Sequence, residues 1–289
     1  MTDLTGTSFE FPGEYYEIMR KDFRNLDAET EFLASLLPDA GTVLDLGCGT
    51  GSNLRALRER GHRGTGVDQS AAFLEYARAA GGAGISYVEA RAEEYRTDER
   101  YDLVYSLFMT LNYLERDRLP AVLRSLRELL APGGQVVLEF GHLLNFVDSF
   151  QPDSIGHHRR DGVLITRLAR QFVNAHAANW RNEETLLVRT ADGTVAMYDN
   201  FFDQAVLTGP EVRGLLAAAG LTITAEYGGF RKEPAPFHGR GPLVIVATAT
   251  PADTATSADT ASASAGAAST PTGTAATASD TAQQEENQA

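Results

Sequence analysis

Cysteine is nearly absent from this 289-residue chain, and the features of exported or membrane-spanning proteins are absent as well. Cys48 is the single cysteine, which excludes an intrachain disulfide and a cysteine cluster for zinc. No stretch approaches the roughly 18 consecutive apolar residues of a membrane helix. The start of the chain, Met1 to Thr5, lacks the basic and apolar regions of a signal peptide. We therefore expect a cytoplasmic protein without a membrane partner.

Positive charge is also scarce in this sequence. Lys and Arg number 25 against 39 Asp and Glu, which gives a formal net charge of −14. The segment after Pro251 holds five of the acidic residues and no basic one, and the remainder is still acidic. A surface of that sign repels phosphodiester backbones, and no basic cluster with interleaved aromatic residues offsets it. We expect a small-molecule substrate and no nucleic-acid partner.

Large apolar residues are missing from the end of the chain. From about Pro251 to Ala289 the composition is mainly Ala, Thr, Ser, Asp, Gly and Gln, without an aromatic residue. Such a segment cannot bury enough apolar surface to offset its chain entropy. The composition therefore predicts a disordered tail over residues 251–289.

The most informative feature that is present is a loop of alternating glycines after an apolar run. A run that contains Asp45 leads into Gly47, Gly49 and Gly51. The pattern indicates a buried strand that breaks into a loop before a helix, where a backbone without Cβ atoms can lie against a flat cofactor. The dinucleotide fingerprint G-x-G-x-x-G would need its third glycine at Ser52. A nicotinamide oxidoreductase is therefore disfavoured.

A carboxylate follows at the end of the next predicted strand. Asp68 ends the run Gly66-Val67-Asp68, and parallel strands bring their carboxyl ends to the same edge of a sheet. Asp68 can there accept hydrogen bonds from both hydroxyls of a ribose. The structural alternative is that the glycines make only a tight strand-to-helix turn and that Asp68 caps the helix beginning near Ala71. The loop and the acid together, in one βαβ unit, favour a cofactor site.

Strands and helices alternate along the chain as they do in a doubly wound α/β sheet. The predicted strands cover residues 42–46, 64–68, 85–89, 102–108, 135–140, 221–227 and 243–248. The predicted helices cover residues 52–60, 71–80 and 119–130, and a further helix begins at Thr208-Gly209-Pro210 and stops at Gly220. Between residues 162 and 207 the pattern changes to strand-like runs at 163–167, 171–180, 184–190 and 194–198, with a hairpin turn at 191–193. These runs predict an antiparallel insertion.

The glycine loop, Asp68 and a Pro-Gly-Gly turn at residues 132–134 resemble class I S-adenosylmethionine (SAM) methyltransferases. The resemblance implies a Rossmann-like, seven-stranded, mostly parallel sheet of order 3-2-1-4-5-7-6 with strand seven antiparallel, and SAM as cofactor. The chain looks most like the small-molecule branch that includes glycine N-methyltransferase-like enzymes and the amino-sugar N,N-dimethyltransferases of natural-product pathways. It shares their aromatic N-terminal helix, their insertion after strand five and their late helix ending in Ala-Gly. We expect an N-terminal helical lid over residues 1–40 and a methyltransferase domain over residues 41–250, with the insertion at 162–207 on the acceptor side.

The resemblance also implies which residues hold the cofactor. They lie in the glycine loop and at the ends of strands one to four: Asp45, Gly47, Gly49, Gly51, Asp68, Gln69, Ala92 and Phe108. One departure concerns the adenine pocket. Arg91 stands where much of the family has an aspartate that meets the adenine amino group, although the backbone amide of Ala92 can still reach a ring nitrogen.

Polar residues near the ends of strands four and five are the candidates for the acceptor side. We expect catalytic or orienting roles for Tyr16, Tyr113 and His142. Contacts with the acceptor are expected from Tyr15, Asn112, His176, Trp180 and Tyr198. Tyr113 occupies the place where the amino-sugar enzymes carry a catalytic histidine, so that role does not transfer intact.

Several charged residues invite a simpler interpretation. Glu17, Arg20 and Lys21 are interpreted as a solvated helix face, with a contact from Arg20 to the cofactor carboxylate as the alternative. The adjacent His157 and His158 have no evident partner in the sequence, and we predict no metal site.

These features favour a monomeric or weakly associating methyltransferase that moves the methyl group of SAM to a nitrogen of a small metabolite. Methylation of an electron-rich aromatic ring, at carbon or at a phenolic oxygen, is the close alternative. A SAM-binding module without turnover is an alternative of another class. After strand four the chain reads Ser106-Leu107-Phe108-Met109 in place of the Asn/Asp-Pro-Pro-Tyr/Phe motif of base-modifying enzymes, so a flipped nucleobase is not expected as the substrate.

Overall fold

A computed structural model describes residues 9–232 and 241–251 of the chain. The strands are β1 (Thr42–Leu46), β2 (Arg63–Asp68), β3 (Ile85–Glu89), β4 (Tyr101–Ser106), β5 (Leu130–Phe140), β6 (Asp153–Arg160), β7 (Val163–Asn174), β8 (Asn179–Arg189), β9 (Val195–Ala205), β10 (Leu221–Tyr227) and β11 (Leu243–Ala249). The helices are α1 (Gly13–Arg20), α2 (Leu26–Ala34), α3 (Ser52–Glu59), α4 (Ala71–Ala80), α5 (Leu119–Glu128), α6 (Leu143–Ser149) and α7 (Gly209–Ala218), with a short 3-10 helix at Thr110–Tyr113.

The larger of two sheets has seven strands in the order β10-β11-β5-β4-β1-β2-β3. The pairs of β1 with β2 and β4, of β2 with β3 and of β4 with β5 are parallel, whereas β11 runs antiparallel to both β5 and β10. Numbered within this sheet alone, the order is 3-2-1-4-5-7-6, which confirms the predicted fold. The central strands β1 and β4 are buried on both faces, as their continuous apolar runs predict.

The ends of several elements differ from the sequence prediction for local reasons. β5 begins at Leu130 rather than near residue 135, because the Pro-Gly-Gly segment is part of the strand and β4 pairs with it across a register shift between Tyr101 and Leu103. α7 begins with a capping box, in which Thr208 and Glu211 each bind the backbone of the other. Gly220, in the left-handed region at φ +73°, follows that helix, as predicted.

The second sheet is antiparallel, in the order β6-β7-β8-β9, and it corrects the predicted insertion. The run 171–180 is not one strand, because a turn after Asn174 separates β7 from β8. The Asn174 side chain accepts hydrogen bonds from the backbone N–H groups of His176 and Ala177, at 3.1 and 3.0 Å, and Ala178 adopts a positive φ of 50°. β6 was missed because this edge strand is mostly polar. The inserted sheet therefore covers residues 153–205 instead of 162–207.

The first two helices pack on different parts of this framework. α1 contacts α4 and β6, and α2 packs against α3. None of the helices in residues 9–232 and 241–251 is long and apolar enough to cross a membrane. The predicted tail, apart from Pro251, lies outside the described residues.

Candidate functional site

A cavity of about 1070 Å³ opens at the carboxyl ends of β1, β2, β4 and β5. Its floor includes the glycine loop after β1 and Asp68 at the end of β2. Its opposite wall comes from α1 and from the inner face of the antiparallel sheet, through Arg167, Glu184 and Gln204. The carboxyl edge of a parallel sheet is where α/β folds bind ligands, so this cavity is the candidate site.

The glycine loop is held open by hydrogen bonds to β2. The backbone N–H groups of Gly47 and Cys48 both donate to the carbonyl oxygen of Val67, at 2.7 and 3.0 Å. Gly47 and Gly49 have φ values of +82° and +54° and line the cavity. A Cβ at Gly47 would overlap the side chain of Thr110, whereas a Cβ at Gly49 would meet only Tyr16 at 3.9 Å. The backbone at Gly49 is therefore open to a ligand.

Gly51 has a different part in the loop from that of the other two glycines. It lies outside the cavity lining, at φ +74°, and immediately precedes α3. A Cβ at this position would overlap the hydroxyl group of Tyr87 on β3. Gly51 thus permits the strand-to-helix turn and the packing of that turn on β3. The spacing of the glycines alone could not distinguish this structural role from a contact with the cofactor.

Asp68 connects the loop to the start of α4. Its Oδ2 accepts a hydrogen bond from the Gly49 N–H at 2.7 Å, and its Oδ1 accepts one from the Ser70 N–H at 2.9 Å. The side chain of Ser70, rather than that of Asp68, caps α4. Burial raises the pKa of Asp68, and the N–H groups of Ser70 and Gly49 partly offset this effect. Each carboxylate oxygen retains acceptor capacity for a further donor from the cavity.

Asp45 supplies a second carboxyl group beneath the loop. It is 4% exposed and lines the cavity. Burial raises the pKa of Asp45 well above its usual range, and the negative charges of Asp68 and Glu29 act in the same direction. Gln69, Ala92 and Phe108, the other residues predicted to hold the cofactor, also line the cavity; Arg91 donates to the Gln69 side chain at 3.3 Å.

Hydrogen bonds join α1 to the glycine loop through Glu17, one of the residues interpreted above as a solvated helix face. Glu17 accepts hydrogen bonds from Thr50 and from Ser52, the latter at 2.8 Å, and Arg20 pairs with Glu17 at 3.3 Å. Arg20 is 6% exposed and lines the cavity; of the proposed solvated face only Lys21 is exposed. Helical periodicity did not reveal the contacts of Glu17 with Thr50 and Ser52, because these partners lie 33 and 35 residues away in sequence.

A buried ion network that the sequence did not predict supports the segment after β4. Arg24 binds Glu29 at 2.7 Å and both oxygens of Glu139 at 3.0 Å. Glu139 also accepts a hydrogen bond from the Phe108 N–H at 2.6 Å. Phe108 and Met109 have positive φ values of 53° and 57°, so Glu139 helps to hold a backbone conformation that is unfavourable for residues other than glycine.

Tyr16 and Tyr113, two of the three residues predicted to be catalytic, line the cavity. The Tyr16 ring packs on Phe73 at 5.0 Å, and the Tyr113 ring lies edge-on to Phe9 and Phe202 at 5.8 and 5.5 Å. Burial is the main cause that raises the pKa of both hydroxyl groups above the usual range of tyrosine. Both side chains therefore stay protonated at neutral pH.

His142 and Asn112 lie outside the cavity lining, which corrects their expected placement. His142 does follow β5, but its Nε2 lies 3.1 Å from the carbonyl oxygen of Gly241, and burial lowers its pKa. Asn112 donates to the carbonyls of Gly141 and Ala205, at 2.9 and 2.8 Å, and accepts from the Gly141 N–H at 3.0 Å. Asn112 thereby joins the 3-10 helix to the ends of β5 and β9.

Four other predicted acceptor contacts are also outside this lining. The rings of Tyr15 and Tyr198 lie 5.9 Å apart in an apolar cluster between α1 and the antiparallel sheet. Trp180 is 5% exposed and packs against aromatic rings that follow β5, Phe146 among them. His176 lies exposed in the turn after β7. Alternation along the strands identified inward-facing aromatic side chains but could not separate core positions from cavity positions.

The inner face of the antiparallel sheet places a different set of polar groups at the cavity. The Glu184 carboxylate accepts hydrogen bonds from Arg167, at 2.9 Å to its Nε, and from Asn182. Gln204 is 5% exposed and lines the cavity, and its amide makes no hydrogen bond within the described ranges. His158 also lines the cavity and binds Asp22. The alternating pattern of β7 to β9 indicates a face that is turned inward, but it does not determine the register that brings these side chains to the cavity.

The fold and this cavity together define a class of protein. A glycine loop after β1 and a carboxylate with remaining acceptor capacity at the end of β2 suit a ligand that carries a ribose, as SAM does. The antiparallel strand β11 beside β5 completes the sheet order of the methyltransferase fold. The chain is a SAM-dependent methyltransferase. A family model described as a methyltransferase domain matches residues 43–134.

Known proteins of this class resemble the chain over much of its length. It is 28% identical over 200 residues to the dTDP-4-amino-2,3,4,6-tetradeoxy-D-glucose N,N-dimethyltransferase of Saccharopolyspora spinosa, covering 68% of this chain and 77% of that protein. It is 28% identical over 211 residues to the cypemycin N-terminal methyltransferase of a Streptomyces species, covering 72% of this chain and 83% of that protein. The SAM-bound structure of an amino pentose methyltransferase from Micromonospora echinaspora aligns with a TM-score of 0.63 and 25% identity, over 83% of this chain and 99% of that one.

Proposed function

We propose that this enzyme transfers the methyl group of SAM to an amine nitrogen of a small secondary metabolite. The relatives named above act on nitrogen, one on an amino sugar and one on an N-terminus. The single observation that carries the proposal is the cavity itself, which joins the Asp68 and glycine-loop region to a partly polar wall from the antiparallel sheet.

The end of the cavity beside Asp68 and the glycine loop would bind and orient SAM. Bound SAM supplies a methyl group on a cationic sulfur, so the protein mainly has to align a nucleophile behind that carbon and exclude water. Asp68 would hold the ribose, while the backbone at Gly49 leaves room beside it. Phe9, Tyr113 and Phe202 form an aromatic cluster that lines the cavity and would exclude water from that part of it.

The acceptor end offers polar groups that can orient an amine-bearing molecule. The Gln204 amide can both donate and accept a hydrogen bond, and Glu184 presents a carboxylate that Arg167 and Asn182 hold in place. Neutral tyrosine hydroxyls at Tyr16 and Tyr113 can donate to the acceptor. Because burial raises their pKa, both hydroxyl groups keep their protons at neutral pH and can act as hydrogen-bond donors but not as bases.

Three further properties are part of the proposal. We propose a cytoplasmic enzyme, a monomer or weak homodimer, and a tail over residues 251–289 that takes no part in catalysis. Light scattering during gel filtration measures the oligomeric state. Neither a nucleic acid nor a membrane is proposed as a partner, because the chain carries a net charge of −14.

A direct assay of acceptors tests this function. The enzyme is incubated with methyl-labelled SAM and, separately, with dTDP-4-amino-2,3,4,6-tetradeoxy-D-glucose, the sugar named for one relative, with a short peptide that has a free N-terminus, and with catechol. Transfer of label to at least one amine, faster than to catechol, supports the proposal. Transfer to catechol alone supports the aromatic alternative, and an absence of transfer to either amine contradicts the proposal.

A further inference from the structure

The second histidine of the adjacent pair, His158, lines the cavity from β6. Its Nδ1 lies 2.5 Å from Oδ2 of Asp22, which follows α1 in the chain. Its neighbour His157 is exposed and contacts Thr166 on the same sheet at 3.1 Å. Successive residues of a strand point to opposite faces, so only His158 of the two is directed toward the cavity.

The contact with Asp22 determines which nitrogen of His158 is available. A carboxylate accepts hydrogen bonds, so Nδ1 carries the hydrogen and Nε2 holds the lone pair in the neutral ring. Nε2 makes no hydrogen bond to any part of the chain that the structure describes. Asp22 is 56% exposed, so solvent screens its charge and its main effect is to fix the tautomer and the orientation of the ring.

We propose that His158 is the base that accepts a proton from the acceptor amine, with Asp22 as its positioning residue. This inference rests on the proposed function. An amine that arrives as the ammonium ion gives one proton to Nε2 of His158, and its freed lone pair then forms a bond to the methyl carbon. The bond from that carbon to the sulfonium sulfur breaks, and its electron pair stays on sulfur. The products are the methylated ammonium ion, a neutral thioether and protonated His158.

The placement of His158 fits this role better than that of the other candidates. Tyr16 and Tyr113 also line the cavity, but their buried hydroxyls keep their protons. His142 is outside the lining and occupied by Gly241.

Other charged groups near His158 have partners of their own. Two charged residues of the elements packed against β6, Arg20 on α1 and Arg167 on β7, line the same cavity. Arg20 binds Glu17 and Arg167 binds Glu184. Asp22 is thus the residue whose contact fixes the orientation of the imidazole.

The test compares His158→Asn with His157→Asn in the full chain, using the amine that accepts label in the assay above. An asparagine at 158 can still donate a hydrogen bond to Asp22, so the contact between α1 and β6 is retained while the base is removed. We expect the kcat of His158→Asn to fall about 10²- to 10⁴-fold near neutral pH. His157→Asn should keep the activity of the wild type, and Asp22→Asn should lose less activity than His158→Asn.

The pH profile separates a base from a structural group. Without its base the variant can use only the amine that is already neutral, so its deficit should shrink steadily as the pH approaches the pKa of the amine. The affinity for SAM, measured by calorimetry, should be unchanged. A His158→Asn enzyme whose deficit stays constant with pH, or whose kcat equals that of the wild type, overturns the role of His158. A wild-type enzyme that labels no amine overturns the proposed function, and this inference with it.

Discussion

Asp68 lies where the glycine loop, the start of α4 and the cavity meet. Replacing it should therefore weaken SAM binding more than it destabilises the fold. If Asp68 bonds the ribose hydroxyls, Asp68→Ala should weaken SAM binding by about 1.5 to 3 kcal/mol, the range for hydrogen bonds to a charged group. Titration calorimetry measures the difference. Glu89→Ala is the matched control, because Glu89 pairs with Asp68 in the register of β2 and β3 but is exposed and outside the cavity lining. Equal affinities in all three proteins would remove Asp68 from the site.

Two glycines of the same loop should respond differently to the same substitution. A Cβ at Gly51 would overlap Tyr87, so Gly51→Ala should lower the free energy of unfolding by about 1 to 3 kcal/mol, the usual cost of overpacking. Gly49→Ala places its Cβ at the cavity, where it should mainly weaken SAM binding. Chemical denaturation and calorimetry on both variants check the contrast. A stable Gly51→Ala that has lost SAM, beside an unstable Gly49→Ala that binds it normally, would reverse these assignments.

The residues missed from the sequence share a physical reason. Glu17, Arg24 and Glu139 are charged side chains that become buried because partners from distant segments reach them. A charged side chain is ordinarily solvated, so no local pattern distinguishes these three. The glycine loop could be predicted, since its positive φ values fall on the alternating glycines at positions 47, 49 and 51.

At the scale of elements, the attachment of α1 to the glycine loop depends on the ionisation of Glu17. Burial opposes its charge, but hydrogen bonds from Thr50 and Ser52 and the positive charges of Arg20 and Arg55 hold the pKa of Glu17 below its usual range. The unfolded chain therefore binds this proton more tightly than the folded one. The stabilising contribution is complete above the usual carboxyl pKa and is lost as the pH falls through the lower, folded value.

Glu17→Gln tests this attachment. The free energy of unfolding of the wild type should decrease as the solution is acidified below about pH 4.5, the usual value for a glutamate side chain. The decrease should be smaller in Glu17→Gln, which has no proton to take up at that position. Denaturation at several pH values measures both curves, and parallel curves would show that Glu17 contributes nothing to the acid response.

Secondary structure was predictable wherever hydrophobic periodicity agreed with clear end signals. β1, β3, α4 and β10 coincide with their predicted bounds, since each is flanked by glycine, serine or a turn. β6 was not predicted, because an edge strand with one half-buried face can be mostly polar. The turn between β7 and β8 was not predicted, because it contains no glycine and depends on hydrogen bonds to the side chain of Asn174.

At the scale of the whole molecule, the order of the main sheet followed from the βαβ repeats and from the family resemblance. The βαβ repeats and the resemblance did not predict which residues of the antiparallel sheet line the cavity. Its register decides which side chains of β6 to β9 face the cavity, and a shift of one residue would exchange His158 for His157. The cavity wall that this sheet forms was therefore the part of the site that sequence reasoning placed least well.

Removal of residues 252–289 should leave both stability and turnover unchanged within error. The composition of this segment offers no apolar surface that a fold could lose. The melting temperature and the rate of methyl transfer of the truncated chain, each compared with the full chain, test the expectation. A fall in either quantity would mean that the segment contributes to the enzyme.

Transfer of a methyl group from SAM to nitrogen can be tested by locating the transferred carbon in the product. The enzyme is incubated with ¹³C-methyl SAM and a metabolite extract of its source organism, and the labelled products are analysed by two-dimensional NMR and fragmentation mass spectrometry. We expect the labelled carbon to be bonded to nitrogen in a small molecule. A labelled carbon bonded to oxygen or to an aromatic ring carbon, or no labelled product, would contradict it.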